Sequence, residues 1–410
     1  MNKVKLTGAE IIWECLLREQ INVVFGYPGG AILPTYDALS KYSDRIHHVL
    51  TRHEQGATHM ADGYARSSGK VGVALATSGP GAANMVTGLA TAMMDSVPIV
   101  CITGQVPRPA IGSDAFQEMD ISGAVIPVTK HSYLVMDIKD LAKTIKEAFV
   151  IARSGRPGPV LVDIPKDLQA EEFDFVYPEE PIMLPGDNPI KNDIDLKSLE
   201  EAAKLIANAE RPVILAGHGI LLSGASKEVI ELSEKGDIPL SWTLLGSGAV
   251  PASHNLNMGM MGMHGEFAAN NAIQKADLLI ACGMRFDDRV TGNTKTYSLN
   301  SKKIHIEIDP SEINKNVPVD IALVGDLKNV LRKLLPVLDK QSNKKWIENI
   351  SEWRKESKSR DIINMDTQML YGAQVISDIW KETNGDAIVV SDVGQHQMLE
   401  AQYYKHDEPN

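Results

Sequence analysis

Among the residues able to do chemistry, the run Arg52-His53-Glu54-Gln55-Gly56-Ala57-Thr58-His59 stands out first. A zinc-protease HExxH motif needs its histidines four apart on one helix face, and here they are six apart. Six residues turn a helix by about 600°, or about 240° net, so the two rings diverge and zinc is rejected. Glu54 is more informative. Glu54, Ala57, Ala61, Tyr64 and Ala65 follow steps of three and four, which puts Glu54 on the inward stripe of its helix. One reading makes it a first-turn acid stabilised by the helix dipole or tied into an ion pair. The other makes it a buried acid able to trade a proton with a cofactor nitrogen.

Several strings bring glycines to strand ends. Gly79-Pro80-Gly81-Ala82-Ala83-Asn84 follows a strand pattern and opens a helix pattern, as a dinucleotide fingerprint would, but Asn84 stands where the third glycine belongs. Gly217-His218-Gly219 has Leu222 at that place. Tight strand-to-helix packing competes with ligand binding for both. Gly26-Tyr27-Pro28-Gly29-Gly30-Ala31 is either an approach to a flat ligand or an ordinary turn. Gly283-Met284-Arg285-Phe286-Asp287-Asp288-Arg289 leaves a strand end of the kind that binds ligands in doubly wound sheets, unless its charges simply neutralise one another. Ile306-Glu307-Ile308-Asp309-Pro310-Ser311 ends the next strand with an acid suited to a ribose or to a helix cap. The two strand ends together favour a nucleotide. Met258, Met260, Met261 and Met263 crowd a glycine-rich stretch ending at His264-Gly265, for gap filling or for contact with a planar ligand.

The elements that must position these residues alternate. Strand patterns at Val23 to Phe25, Val71 to Thr77, Pro98 to Thr103 and Val160 to Ile164 are interleaved with helical periods at His53 to Ser67, Ala82 to Met94 and Lys139 to Ala152. Such alternation means parallel βαβ units, and residues 1–170 make a first domain. Residues 171–193, rich in proline and acids, read as a linker. Strands at Val213 to Ala216, Leu278 to Ala281 and Lys303 to Ile308 mark a second α/β domain over 194–339. The charged stretch 340–370 reads as a linker whose helix is solvated, and 371–410 as the start of a third α/β unit, with helix Gly372 to Lys381 and strand Ala387 to Ser391. The expected fold class is α/β, built of successive doubly wound parallel-sheet domains with the third incomplete.

Composition bounds the reading. A 410-residue chain, 43% hydrophobic, has material for two or three packed domains. Its 41 basic and 53 acidic residues give a net charge of −12 without a basic block, which argues against a nucleic-acid partner. Cys15, Cys101 and Cys282 lie far apart with no CxxC, so no disulfide framework or thiolate zinc site is expected, and the compartment should be reducing. No signal-peptide core or membrane-length apolar run occurs, so a cytoplasmic protein without a membrane partner is expected.

Taken together, Phe25-Gly-Tyr-Pro-Gly-Gly-Ala, Arg52-His-Glu-Gln-Gly-Ala, Thr77-Ser-Gly-Pro-Gly-Ala-Ala-Asn, Asp114-Ala-Phe-Gln-Glu, Arg156-Pro-Gly-Pro-Val, Asp163-Ile-Pro-Lys-Asp, Gly262-Met-His-Gly, Arg285-Phe-Asp-Asp-Arg-Val-Thr-Gly and Asp392-Val-Gly-Gln-His-Gln-Met resemble the acetohydroxyacid (acetolactate) synthase catalytic subunits of the thiamine-diphosphate-dependent decarboxylase superfamily. The resemblance spans the chain. The Glu54 and Gly-Pro-Gly strings are shared across the superfamily, whereas those at Asp114 and Arg285 are more specific to the synthases.

The resemblance implies three α/β domains, for the aminopyrimidine of thiamine diphosphate, for FAD, and for the diphosphate with Mg2+. It implies that Glu54 hydrogen-bonds the pyrimidine N1′, that Tyr27, Gly29, Gly30 and Ala31 line the reaction centre, and that Phe116, Gln117 and Lys166 complete its substrate side. Pro80, Asn84, Gln395 and His396 would also serve thiamine diphosphate. Arg289 would receive the carboxylate of a second 2-oxoacid. Arg156, His264, Gly265, Arg285, Asp288, Asp309 and Asp326 would contact a structural FAD. The implied reaction decarboxylates pyruvate and joins the remainder to pyruvate or 2-oxobutanoate, in branched-chain amino-acid biosynthesis. A homo-oligomer and a regulatory small subunit are implied partners. The alternatives are another thiamine-diphosphate carboligase, a pyruvate oxidase, or a non-catalytic FAD-binding fragment. Two departures stand out. Leu399 replaces a usual tryptophan, and the Gly-Asp-Gly…Asn-Asn string that holds Mg2+ in the family would fall beyond residue 410, the sole Asp-Gly pair being Asp62-Gly63. The chain is therefore expected to stop inside its third domain, to supply no metal ligand, and to make little acetolactate alone.

Overall fold

A computed structural model describes residues 4–182, 194–365 and 368–408. The chain forms two compact units, Met1–Asp187 and Asn188–Asn410. In the first, β1 (Val4–Thr7) pairs antiparallel with β8 (Glu172–Phe175), apart from a six-stranded sheet. That sheet comprises β2 (Val23–Gly26), β3 (His47–Leu50), β4 (Gly72–Ala76), β5 (Ile99–Gln105), β6 (His131–Leu134) and β7 (Val160–Pro165), in the order β3-β2-β4-β5-β7-β6. Every pairing in it is parallel. β4, β5 and β7 are buried along their whole length, as parallel strands covered on both faces must be.

The second unit repeats the plan. Its sheet of β9 (Pro212–Ala216), β10 (Leu240–Trp242), β11 (Asn257–Met260), β12 (Leu278–Cys282), β13 (Lys302–Glu307) and β14 (Ile321–Val324) runs in the order β11-β10-β9-β12-β13-β14, again all parallel. Both units are doubly wound α/β structures, the class the alternation predicts. The three cysteines are free and buried. Among the described residues no helix is long and apolar enough to cross a membrane.

Four elements differ from the expectation, each for a local reason. The stretch read as a linker from residue 171 begins with β8, where Glu172-Phe173-Asp174-Phe175 alternates and packs Phe173 and Phe175 on the core beneath; residues 183–193 of that linker, and 366–367 of the next, lie outside the described residues. The helical period from Ala82 to Met94 divides into Pro80–Ala83 and Val86–Asp95, with Met85 N–H donating to Ala82 O in a tighter turn. The charged stretch near residue 350 is not solvated all round. Its helix Lys344–Ser359 buries Trp346 and Ile350, and Trp346 Nε1 donates to Pro212 O at 3.2 Å. Trp346, Ile350 and Trp353 stand at i, i+4 and i+7, an apolar stripe hidden among many charges.

The strand expected at Ala387 to Ser391 does not form. A strand needs a neighbour to bond, and among the described residues none pairs with this segment, whose Ile388 and Val390 are over 90% exposed. Helices Gly372–Glu382 and Gln395–Tyr403 flank it and pack together. They dock on the second unit, where Ala252 N–H donates to His406 O and Gln402 Nε2 to His264 O.

Trp346→Ala should therefore cost the second unit about 3–5 kcal/mol, the usual penalty for emptying a buried tryptophan site. Denaturant unfolding followed by far-UV circular dichroism checks it; a loss below about 1 kcal/mol would return the helix to the solvated reading.

Candidate functional site

In the first unit the chain reverses its direction of travel between β2 and β4, the switch point beside which doubly wound sheets leave a crevice at the carboxyl ends of their strands. The exits of β2, β3 and β4 meet there. Thr51 N–H donates to Gly26 O at 3.0 Å, and Tyr27 N–H to Leu75 O at 3.3 Å. The Gly29–Ala31 turn is seated on Thr77, whose Oγ1 accepts from Ala31 N–H at 3.0 Å. A Cβ on Gly29 would lie 2.5 Å from Thr77 Cγ2, so this position requires glycine. Gly30 faces open space, with nothing within 4 Å of where its Cβ would be.

Glu54 opens the helix Glu54–Ser68, which His53 caps by accepting from Gln55 N–H at 3.1 Å. The first-turn position suits an acid. Its side chain nevertheless turns inward and is 8% exposed. Oε2 accepts from Asn84 Nδ2 at 2.9 Å, and a Cβ on Gly81 would lie 3.1 Å from Oε1. Among the described residues no ion pair to Glu54 forms, so the ion-pair reading drops out. Asn84, the misfit in the glycine fingerprint, is the donor that holds the buried carboxylate.

Next along the edge, β5 leads to the loop carrying Phe116, 88% exposed, and Gln117, at φ +60°. Glu118 knots this loop by accepting from Gly112 N–H and from Ala115 N–H at 2.9 Å, and those bonds hold its carboxyl below the ordinary range. Gln117 O lies where a Cβ on Gly79 would come within 2.5 Å of it. Lys166 directly follows β7, the neighbour of β5, and is half-buried. Tyr27, Gly29, Gly30, Ala31, Glu54, Pro80, Asn84, Phe116, Gln117 and Lys166 thus share one edge of one sheet.

Sequence reasoning assigned no role to three buried polar residues, two of them on this edge. Gln169 donates to Ala31 O and Ile164 O, both at 2.9 Å, and accepts from Thr35 Oγ1 at 2.9 Å. Asp163, near the end of β7, accepts from Thr103 Oγ1 at 2.7 Å and Gln105 Nε2 at 2.8 Å. Burial pushes its carboxyl up to about 6 against the pull of those donors, with a smaller push from Asp120. The signal was a lone acid inside an apolar strand run, Val160-Leu-Val-Asp-Ile. In the second unit, His305 is fully buried, donates from Nε2 to Met284 O at 2.8 Å, and is held below its usual value by burial.

The second unit has its own switch point, between β9 and β12. There Gly219 N–H donates to Gly283 O at 2.9 Å, and a Cβ on Gly219 would lie 2.7 Å from Gly283 Cα, so the Gly217-His218-Gly219 string serves close backbone packing. Asp287 caps the turn Asp288–Thr291, and Met263 N–H donates to Arg289 O at 2.8 Å, tying the His264-Gly265 turn to the Arg285–Arg289 segment. Arg289 Nη1 reaches Met263 Sδ at 3.4 Å, with Asp288 at 3.9 Å. Asp309 and Asp326 follow β13 and β14 on the same edge and cap the segments after them. Gln395 and His396 open their helix with exposed side chains. Arg156 lies in the first unit, with Nε on Ser96 Oγ at 2.8 Å and Nη2 on Met94 O at 3.2 Å. Among the described residues no group of three or more His, Cys, Asp or Glu is gathered as a metal site.

Residues 6–124 match the N-terminal TPP binding domain of thiamine pyrophosphate enzymes, and residues 199–334 match their central domain. The chain is 47% identical to the probable acetolactate synthase large subunit of Methanocaldococcus jannaschii, over 98% of this chain and 69% of that protein. It is 45% identical to the acetolactate synthase large subunit of Haemophilus influenzae, over 99% of this chain and 71% of that one. With the acetolactate synthase isozyme 3 large subunit of Escherichia coli the identity is 44%, over 98% and 71%.

Asp163 carries a prediction whose sign is fixed. Its folded-state value of about 6 exceeds the ordinary value near 4, so its contribution to stability is full below about pH 4 and is lost as the pH rises through about 6, by up to about 3 kcal/mol. Asp163→Asn should remove this slope. Urea midpoints of both proteins at about pH 4.5 and 7 check it; equal slopes would refute it.

Proposed function

The chain belongs to the acetolactate synthase large-subunit family, and from that premise we propose how its two sheet edges divide the work of joining two 2-oxoacids. Thiamine diphosphate is the cofactor of the first edge, in keeping with the TPP binding domain matched there. The observation that carries the reading is the buried Glu54 carboxylate, held by Asn84 on one oxygen at a switch point where Gly30 leaves open space. When bound, thiamine diphosphate supplies the carbon nucleophile and the electron sink for decarboxylation.

Glu54 holds and returns a proton at the pyrimidine N1′. A carboxylate suits this because it is short, aimed by the helix start, and shielded from water, and Asn84 leaves its Oε1 free of a protein donor. Tyr27, Gly29, Ala31 and Pro80 line the cofactor's edge, the glycine allowing the backbone close. Gln117 and Lys166 bring an amide and an ammonium to the carboxylate of pyruvate, and Phe116 covers it. Arg289, exposed and only loosely paired with Asp288, is the receiver of a second carboxylate, from pyruvate or 2-oxobutanoate. Gln395 and His396 keep only the thiamine diphosphate role that the family resemblance implies.

The second edge is the proposed FAD site. The glycine crossing at Gly219 and Gly283 keeps side chains out of the crevice, and Arg285, Asp288, His264, Gly265, Asp309 and Asp326 are its candidate contacts, while Arg156, in the first unit, keeps only the FAD role that the family resemblance implies. Joining two 2-oxoacids involves no net oxidation, so FAD is structural here. Mg2+ accompanies the diphosphate, and among the described residues no group of three or more His, Cys, Asp or Glu is gathered to hold it. A homo-oligomer and a regulatory small subunit are the proposed partners; the relatives' designation as large subunits supports the latter.

Glu54→Gln keeps the shape and removes the exchangeable proton. Acetolactate formation by the holoenzyme should fall by roughly 10² to 10⁴, with the fold intact by circular dichroism. Unchanged turnover would leave Glu54 a dipole partner only. For the second edge, the purified protein should show a flavin spectrum or gain one on adding FAD, and a protein with no measurable FAD affinity would sink that assignment.

A further inference from the structure

Asp163 has no part in the reading above, yet it reaches one of that reading's loops. It is 1% exposed and stands opposite Thr103 in the β5–β7 register. Gln105 Nε2 gives one proton to Asp163 Oδ2 and the other to Met119 O, each at 2.8 Å. Its Oε1 accepts from Val106 N–H at 2.9 Å. The amide orientation is therefore forced: a flip would point oxygen at two acceptors and nitrogen at a donor, leaving buried polar groups unpaired. Asp163 holds this orientation together with Met119 O and Val106 N–H, its oxygens taking the protons of both Gln105 and Thr103.

Met119 ends the loop that carries Phe116 and Gln117. That loop holds two non-glycine residues in the left-handed region, Asp114 at φ +57° and Gln117 at φ +60°. Such conformations persist only when their surroundings enforce them. Glu118 knots the loop from within, Gly79 leaves it room, and Gln105 is its side-chain tie to the sheet.

We propose that Asp163 and Gln105 are positioning residues for the 2-oxoacid side of the site, fixing the Phe116–Gln117 loop through the hydrogen bond from Gln105 to Met119 O. The inference rests on the substrate role proposed for that loop. Asp163→Asn is the conservative variant, because its carbonyl oxygen can keep the bond from Gln105 while its amide donates to Thr103 Oγ1. Gln105→Leu cuts the tie but strands a buried carboxylate, so Asp163→Asn/Gln105→Leu is made beside it to remove the charge.

In the holoenzyme three quantities are read: amide hydrogen exchange across residues 112–119, thiamine diphosphate affinity by calorimetry, and KM and kcat for pyruvate. Losing one buried hydrogen bond should speed exchange in the loop up to roughly tenfold, with a rise in KM of similar size. Thiamine diphosphate affinity should stay within about twofold, because Glu54 and Asn84 are untouched. Asp163→Asn alone should behave like the parent in all three. A folded double variant with parental exchange and KM overturns the proposal, as does a parallel loss of cofactor affinity, which would make the network a support of the whole sheet. Phe116→Ala and Gln117→Ala separate the two ideas: if both leave KM and kcat unchanged while Gln105→Leu still loosens the loop, the loop's substrate role fails and the tie to Asp163 stands.

Discussion

Thr77 is the pin on which the first unit's site depends. Its hydroxyl accepts from Ala31 N–H, and its methyl occupies the space that side chains on Gly29 and Gly81 would need, at 2.5 and 2.8 Å from their missing Cβ atoms. One buried side chain thus fixes the spacing of two strand exits. Both glycines are dictated by packing before any ligand is considered, and the open face left at Gly30 follows from the same contact. The crevice at the switch point is a consequence of topology; its width is set by a threonine.

Along that sheet the protein buries acids without cations. Glu54 is held by the Asn84 amide, and Asp163 by the Thr103 hydroxyl and the Gln105 amide. Elsewhere in the unit acids are paired conventionally, the buried Asp62 with Arg66 at 2.5 Å and the half-buried Asp167 with Arg108 at 2.7 Å. The difference matters chemically. A guanidinium beside a carboxylate adds a full opposite charge that favours the charged form, whereas a neutral donor meets the hydrogen-bonding need with a weaker pull. Burying an acid this way costs stability, which is the origin of the slope expected at Asp163.

Much of this was legible in the sequence. The parallel sheets follow from short apolar runs separated by helical periods, and the inward placement of Glu54 follows from its step to Ala57 and Ala61. The buried face of the Lys344–Ser359 helix was hidden because its three apolar residues are outnumbered by charges, and composition reports the average face while packing uses one. β8 was hidden by an acidic context, although Phe173 and Phe175 alternate correctly. Ala387 to Ser391 has a strand's composition without a partner, and pairing is not a local property. Asn84 read from spacing as a misfit and from the resemblance as a cofactor residue, but not as the partner of Glu54, thirty positions away in sequence and met only in space. Gln105, Asp163 and Gln169 form bonds to residues 58 to 138 positions away, which no period records.

The two sheet edges obey one topological rule and diverge in what fills the gap. In the second unit the exits of β9 and β12 touch backbone to backbone, with Gly219 against Gly283 and no side chain between them. In the first, Thr77 stands between the exits of β2 and β4. Backbone contact leaves a floor of peptide groups and glycine surface at that crossing. A side-chain spacer opens the gap enough for a carboxylate to enter from the next strand, as Glu54 does. The same fold, used twice in one chain, therefore carries a glycine-to-glycine crossing at one switch point and a buried threonine beside a buried carboxylate at the other.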